Sequence, residues 1–222
     1  GPVEFAIMMD SVNDKRQVTI VGDVAQKILF ARKFIGWNKV VENLGLDEDA
    51  IIQLEVSFRC TVPIMTLAHK VAGDPKKVEG RTGSDPLWQR AENYIDLIET
   101  LADWSRGLLR ADPYKLIALV CRYPKQAMEL KDELEAYLPG EVRLGHRDQF
   151  SFEPGILVTN IHQVKGLEFD SVALVEPDEE NYPVKREESR NMIYVGITRT
   201  QEDLLLATIR PYSGVLTGNK NL

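Results

Sequence analysis

Four short segments of the chain combine residue types that suit the binding of a phosphate group. In chain order they are Val21-Gly-Asp-Val-Ala-Gln26, Leu54-Glu-Val-Ser-Phe-Arg59, Lys165-Gly-Leu-Glu-Phe169 and Tyr194-Val-Gly-Ile-Thr-Arg199. An arginine guanidinium presents fixed donors that match phosphate oxygens, and it stays charged at any relevant pH. The amide of Gln26 can accept one hydrogen bond and donate another, so it can sense a terminal phosphate. These segments therefore carry the candidate chemistry of the chain.

The third segment is the most specific of the four. Gly166 allows a positive φ or a close backbone approach, and Glu168 offers a carboxylate to a ribose hydroxyl. Asn160 and His162 come just before this segment, at the end of a predicted strand. Taken alone, these residue types also have ordinary interpretations, such as a surface histidine, a surface glutamine in a turn, or an arginine that caps a loop.

The pattern of apolar residues predicts strands that alternate with helices. Runs typical of strands buried in a parallel sheet are Gln17–Val21, Ile51–Val56, Leu116–Cys121, Ile156–Ile161, Val172–Val175 and Leu204–Thr208. Helices are predicted over Val3–Met9, Thr61–Val71 and Glu92–Leu109, and from Pro124 to a stop at Pro139-Gly140. The alternation predicts an α/β fold, with a mostly parallel sheet and helices on both faces. Ligands of such sheets bind at the carboxyl ends of strands, where we expect the motif residues to lie.

Composition limits the domain count and the partners. The chain has 222 residues, of which 44% are apolar, so it can hold one large domain or one domain and part of another. Because the net charge is −7, any contact with nucleic acid must be local. Cys60 and Cys121 lack metal-ligand spacing, which predicts buried thiols in a reducing compartment. No apolar run approaches the length of a membrane span, so we expect a cytoplasmic protein without a membrane partner.

In their order along the chain, the four segments resemble signature motifs of the UvrD/Rep-like superfamily 1 helicases. These proteins are ATP-driven motors that move along single-stranded nucleic acid. The resemblance implies a second RecA-like domain, of the P-loop NTPase type, at residues 51–222. Residues 1–50 would be the C-terminal end of the first RecA-like domain, and the acidic stretch Asp47-Glu-Asp49 would mark the boundary.

The resemblance implies a catalytic role for three residues. Gln26 and Arg59 would act at the γ-phosphate of ATP. Arg199 would be an arginine finger, which stabilises the charge that builds up on the transferred phosphoryl group. Because the finger and the phosphate loop would lie on different domains, hydrolysis would require the domains to close.

The remaining motif residues are implied to bind ligands. Those that would hold the nucleotide are Lys165, Gly166 and Glu168. Those that would face single-stranded DNA are Asn160, His162 and Arg122. The implied cofactors are ATP and Mg²⁺, held mainly by the N-terminal RecA-like domain, which is also an implied partner. This chain contains no Gly-x-x-x-x-Gly-Lys-[Ser/Thr] phosphate loop and no Asp-Glu pair after an apolar strand, so alone it is predicted to be inactive as an ATPase.

Some features depart from the helicase pattern and keep two alternatives open. The residues after Gln26 lack the tryptophan that stacks on a base in the family, and the interval from Arg122 to Ile156 is too short for the large inserted domain that is usual there. The motif Val-Gly-Asp-x-Ala-Gln, and the segment Val175-Glu-Pro177 at the end of a predicted strand, resemble the HelD-like branch. Members of this branch act on RNA polymerase. The second alternative is an interaction domain that kept the fold and lost the chemistry.

Overall fold

The structure is a computed structural model. It describes residues 2–12, 18–22, 36–45, 50–52, 56–75, 77–146 and 150–218. Gln26 and the predicted domain boundary at residues 47–49 lie outside the described residues.

A six-stranded parallel sheet forms the centre of the fold. Its strands, in spatial order, are β3 (Leu87–Arg90), β8 (Thr200–Thr208), β7 (Phe169–Val175), β4 (Leu116–Cys121), β6 (Gly155–Asn160) and β5 (Val142–Leu144). Every neighbouring pair in this sheet runs parallel. The predicted α/β architecture with a mostly parallel sheet is therefore confirmed.

Helices cover both faces of this sheet. The helices are α1 (Pro2–Asp10), α2 (Trp37–Asn43), α3 (Val62–Ala72), α4 (Tyr94–Ala111), α5 (Pro124–Leu134), α6 (Glu187–Ile197) and α7 (Gly214–Thr217). Strand β4 is fully buried, and its side chains alternate between the two layers. Ala118 and Val120 join the core under α3 and α6, whereas Ile117 and Leu119 join the core under α4 and α5. Burial on both faces explains the continuous apolar run of this strand.

The predicted helices form, with local signals at several ends. At the start of α4, the side chain of Asn93 accepts a hydrogen bond from the backbone N–H of Asp96. Helix α3 ends at Gly73, whose φ of 80° suits the left-handed cap. Helix α5 ends at Leu134, earlier than the predicted stop at Pro139-Gly140, and turns carry the chain on to that point.

Two predicted strands are wrong in their extent. Residues 18–21 form no strand, and Val21 is 81% exposed, so its β-branched side chain has no sheet that buries it. Of the predicted strand Ile51–Val56, Ile51 and Ile52 are irregular. Among the described residues of this segment, the two-residue strand β1 (Val56–Ser57) forms, parallel to β2 (Glu79–Gly80), which lies within the predicted loop.

The sequence pattern did not indicate the edge strands β3 and β5. All four side chains of β3 are exposed, so this strand lacks the buried run that indicates a strand. Strand β5 has only three residues. Within the part of the chain that the structure describes, no helix is long and apolar enough to cross a membrane.

Candidate functional site

Two groups of motif residues lie at opposite ends of the parallel strands, one at the amino ends and one at the carboxyl ends. We use the word edge for these two rims of the sheet. We call Arg59, Glu168 and Arg199 the amino-edge cluster, because Glu168 directly precedes β7 and Arg199 directly precedes β8. We call Arg122, Asn160 and His162 the carboxyl-edge cluster, because they end or follow β4 and β6. The expectation that all the motifs lie at the carboxyl ends is therefore wrong for the amino-edge cluster. Strand β7 runs parallel to β4 and β6, so residues 161–168 must carry the chain back to the amino end before β7 begins.

Within the amino-edge cluster, Arg59 and Glu168 form an ion pair. Arg59 Nη2 lies 2.5 Å from Glu168 Oε1, and both side chains are 41% exposed. An ion pair that is this exposed contributes little to folding, because water screens it. Both groups therefore remain accessible to a ligand. Phe58, the residue before Arg59, is also exposed.

Arg199 is the most enclosed member of the amino-edge cluster, with 1% of its surface exposed. Its guanidinium donates to Val195 O (3.2 Å), Leu167 O (3.1 Å) and Thr198 Oγ1 (3.2 Å). Burial, and then the positive charge of Arg59, lower the pKa of Arg199 from its ordinary value. The guanidinium is thus held by residues 167, 195 and 198, and almost none of the side chain reaches solvent.

The turn that leads into Glu168 has the predicted special conformation. Gly166 has φ of 85°, which confirms the expected positive φ. A side chain at this position would meet open space, so only the backbone conformation favours glycine here. Lys165 is exposed beside it.

Helix α6 lies close over the crossover at residues 161–168. Ile161 and Val164 of the crossover are buried in the core under α3 and α6. A Cβ added at Gly196 would lie 2.5 Å from Leu174 Cδ2 and 3.1 Å from Ile161 Cδ1, so glycine permits this close approach. The packing fixes the path of the chain between the two edges of the sheet.

The carboxyl-edge cluster is built around Arg122, which is 6% exposed. Its Nη1 lies 3.1 Å from His162 Nε2, and its guanidinium carbon lies 4.6 Å from the ring centre of Tyr123 and 5.7 Å from that of Tyr182. A guanidinium can only donate, so His162 Nε2 accepts and the imidazole is neutral. Burial, and then the charge of Arg122, lower the pKa of His162.

Arg122 has little opposing charge. Its ion pair with Glu188 is long, with 4.0 Å between Nη2 and Oε1. Its buried Nε has no hydrogen-bond partner among the residues that the structure describes. The sequence pattern did not indicate the ring of Tyr182 or the carboxylate of Glu188, because both lie far from Arg122 along the chain.

Asn160, which was expected to face single-stranded DNA, has a buried side chain. It is 1% exposed, and its Oδ1 accepts a hydrogen bond from the backbone N–H of His162 at 3.2 Å. The side chain therefore shapes the turn that carries His162. Position at a strand end indicated proximity to the cluster, but not the direction of the side chain.

No group of three or more His, Cys, Asp and Glu side chains that could hold a metal ion occurs among the described residues.

Comparison with known proteins supports the resemblance that the motifs indicated. Residues 140–211 match the family model of the UvrD-like helicase C-terminal domain. This region contains Asn160, His162, Glu168 and Arg199. The matched region is thus similar to the C-terminal domain of UvrD-like helicases, which agrees with the resemblance that the motifs indicated.

Two individual proteins show the same relationship. The chain is 26% identical over 181 residues to the ATP-dependent DNA helicase Rep of Buchnera aphidicola subsp. Schizaphis graminum. That match covers 78% of this chain but only 24% of the relative, so the chain spans about a quarter of that helicase. The crystal structure of the C-terminal domain of a possible DNA helicase from Lactobacillus plantarum WCFS1 is 23% identical, with a TM-score of 0.61. It covers 72% of this chain and 92% of that one, and the likeness concerns the fold.

Proposed function

We propose that this chain supplies the second RecA-like motor domain, residues 51–222, of an ATP-dependent superfamily 1 DNA helicase. Residues 1–50 would be the end of the first RecA-like domain. The observation that carries the proposal is that Arg59, Glu168 and Arg199, distant along the chain, meet at one edge of the sheet. Two arginines near one carboxylate suit a triphosphate presented by a facing domain.

In the proposed site, each amino-edge residue has a distinct role. The exposed guanidinium of Arg59 binds the γ-phosphate, and Glu168 accepts a hydrogen bond from the ribose. Lys165 and Gly166 place the backbone beside the nucleotide, while Gln26 acts from the first domain. The phosphates would draw Arg59 away from Glu168, because a phosphate group offers more negative charge than one carboxylate.

Arg199 is proposed as the arginine finger, and its buried position defines what domain closure must do. Its guanidinium makes hydrogen bonds only within its own domain. To reach a phosphate, it must exchange the Leu167 carbonyl or the Thr198 hydroxyl for a phosphoryl oxygen. Such an exchange is favourable only when the facing domain brings the anion, which would link hydrolysis to closure.

The carboxyl-edge cluster is proposed to contact single-stranded DNA. Arg122 and His162 provide a local cationic and hydrogen-bonding surface, as an acidic chain requires. Asn160 supports this surface through the backbone of His162. ATP and Mg²⁺ are the proposed cofactors, and the first domain would hold the metal.

The decisive experiment measures ATPase activity in the protein that contains both RecA-like domains. We expect single-stranded DNA to stimulate the wild-type enzyme, and Arg199→Ala to abolish the stimulated turnover. Arg110→Ala, at an exposed position at the end of α4, is the matched control and should behave like the wild type. No stimulation by single-stranded DNA would refute the helicase proposal.

A second candidate function is ATP-driven remodelling of RNA polymerase, which the likeness to the HelD-like branch implies. The observation in its favour is the compact interval between Arg122 and Ile156, where the described residues contain only α5, turns and β5. Stimulation of the same ATPase by RNA polymerase, and not by single-stranded DNA, would favour this candidate.

A further inference from the structure

We propose that Arg81 is a positioning residue that fixes the separation between Arg59 and Arg199. The proposal rests on the proposed function of these two arginines at one phosphate. Arg81 lies in the loop before β3 and belongs to none of the motifs. Its guanidinium bridges the two segments that carry the motif arginines.

The bridge has one contact on each side. Arg81 Nη1 donates to the backbone carbonyl of Arg59 at 3.2 Å. Arg81 Nη2 lies 3.5 Å from Glu202 Oε1, on the strand that begins directly after Arg199. A planar guanidinium holds its donors in a fixed fork, so these two contacts limit how far the segments can move apart.

Backbone hydrogen bonds hold Arg81 itself in place. Strand β2 runs parallel to β1, with Ser57 paired with Gly80. The N–H of Val62, at the start of α3, donates to the carbonyl of Arg81 at 2.7 Å. The segment around Arg81 therefore lies along the segment that contains Arg59 on both sides of that arginine.

The other end of the bridge is anchored in the central sheet. Lys115 Nζ lies 2.7 Å from Glu202 Oε2 and 2.7 Å from Asp203 Oδ2, and the Lys115 side chain is largely buried. Asp203 also accepts a hydrogen bond from Ser171 Oγ at 2.8 Å. Glu202 is thus tied to the amino ends of β4 and β7, which gives Arg81 a rigid attachment.

A second contact joins the same two segments. Cys60 Sγ donates to the carbonyl of Thr198 at 3.7 Å, beside Arg199. Burial, which outweighs the nearby arginines, raises the pKa of Cys60 to about 11, so the thiol keeps its proton and remains a donor. This contact shows that the chain links the two segments independently of Arg81.

The bridge is suited to positioning and adds little to folding. Arg81 and Glu202 are 43% and 46% exposed, and an exposed ion pair of this length stabilises a fold only weakly. The placement of charges around a reacting phosphate is far more sensitive, since a displacement of about 1 Å can lower the rate by roughly 10²-fold. Loss of Arg81 should therefore affect turnover without unfolding the domain.

The test compares four variants in the protein that contains both RecA-like domains, using ATPase activity with single-stranded DNA. Arg81→Ala is expected to lower kcat by about tenfold and to leave KM within about twofold, because the closed arrangement is disturbed more than binding. Arg81→Lys should be intermediate, since an ammonium lacks the fork that spans both partners. Lys77→Ala, at an exposed position on the other side of β2, is the matched control and should match the wild type.

The fourth variant, Glu202→Gln, tests the far end of the bridge. We expect a smaller loss of kcat than with Arg81→Ala, and no further loss when the two substitutions are combined, since both break one connection. An unchanged kcat in Arg81→Ala would overturn the proposal. Equal losses of kcat and thermal stability in Arg81→Ala and Arg81→Lys would also overturn it, because they would show a structural role only.

If the wild-type protein shows no ATPase activity, the proposed function fails while the positioning claim can still be judged. In that case, NMR signals of the arginine side chains are compared in the 222-residue chain. We expect Arg81→Ala to shift the Nε–H signals of both Arg59 and Arg199, and Lys77→Ala to shift neither. An unshifted Arg199 signal in Arg81→Ala would overturn the claim.

Discussion

The amino-edge and carboxyl-edge clusters both centre on arginine, but they balance its charge differently. Arg59 is paired with Glu168 at 2.5 Å, and Arg199 makes hydrogen bonds to oxygen atoms of its own domain. Arg122 is buried against a neutral imidazole and two aromatic rings, and its carboxylate partner is 4.0 Å away. In the amino-edge cluster, the arginines have hydrogen-bond and charge partners within the cluster and its neighbours. In the carboxyl-edge cluster, Arg122 has no carboxylate closer than 4.0 Å among the described residues.

This difference indicates how each cluster would meet an anion. A ligand at the amino edge must replace contacts that already exist, so binding there requires rearrangement. A phosphate at the carboxyl edge would supply charge that is missing, because a buried cation is costly until it is paired. The crossover at residues 161–168 joins the two edges without a helix.

The largest effect is expected from removing the proposed finger at the amino edge. In the protein with both RecA-like domains, Arg199→Ala should lower kcat by about 10³- to 10⁵-fold, because the developing phosphoryl charge loses its partner. Nucleotide affinity, measured by fluorescence titration, should change little. Weakened nucleotide binding with normal turnover of the bound nucleotide would show that Arg199 is a binding residue and not a finger.

A smaller effect is expected at the carboxyl edge. Arg122→Gln should weaken binding of single-stranded DNA about tenfold and lower the slope of log affinity against log salt by about one, because one phosphate contact is lost. Fluorescence anisotropy at several salt concentrations measures both quantities. Arg186→Gln, exposed beside Glu188, is the control. Equal DNA affinity in wild type and Arg122→Gln would remove this cluster from the nucleic-acid site.

Glu168→Gln separates the two effects of the carboxylate at the amino edge. It should increase the affinity of this chain for tripolyphosphate a few fold, because Arg59 loses its internal partner. The affinity for ATP should rise less, since the ribose contact is weakened. Calorimetry measures both, and Glu187→Gln, exposed in the first turn of α6, is the control. A lower affinity for tripolyphosphate would contradict the claim that Glu168 competes with a phosphate for Arg59.

The smallest effect concerns the pH dependence of stability at the carboxyl edge. The folded protein lowers the pKa of His162 below 6.5, so the unfolded chain binds the proton more readily. Stability should therefore fall as the pH drops from above 6.5 through the folded pKa of His162, in addition to any other acid effect. Denaturant unfolding between about pH 7.5 and pH 5.5 should show a smaller loss in His162→Gln than in the wild type. An identical loss in both proteins would mean that burial and the charge of Arg122 do not lower the pKa of His162.

The central strands could be predicted because continuous apolar runs indicate strands that are buried on both faces. Strands β4, β6, β7 and β8 contain apolar runs that are buried on both faces of the sheet. They form where expected, with ends shifted by a few residues. Strand β3 could not be found in this way, since its side chains are exposed and only backbone pairing with β8 defines it. The opposite error occurs at residues 18–21, where β-branched composition is not matched by a neighbouring strand in the described residues.

For the candidate site, motif order predicted which residues gather but not how they are arranged. The meeting of Arg59, Glu168 and Arg199 agrees with the expectation from the motifs, and the edge of the sheet on which they meet does not. Asn160 was expected to face single-stranded DNA, and its side chain is instead buried and accepts a hydrogen bond from the backbone of His162. Arg81 had no signal at all, because an arginine in a loop rich in glycine and proline has no distinctive pattern.

The sequence by itself determined the local features of this protein: the buried strands, the helices between them, the permanent charge of the arginines and the positive φ at Gly166. These features depend on residue type and on neighbours a few positions away. Only the tertiary structure decided that Arg199 is enclosed, that Arg122 lacks a close carboxylate and that the two clusters occupy opposite edges. Burial and charge pairing depend on distances between segments far apart in the chain, and strand order and the crossover set those distances.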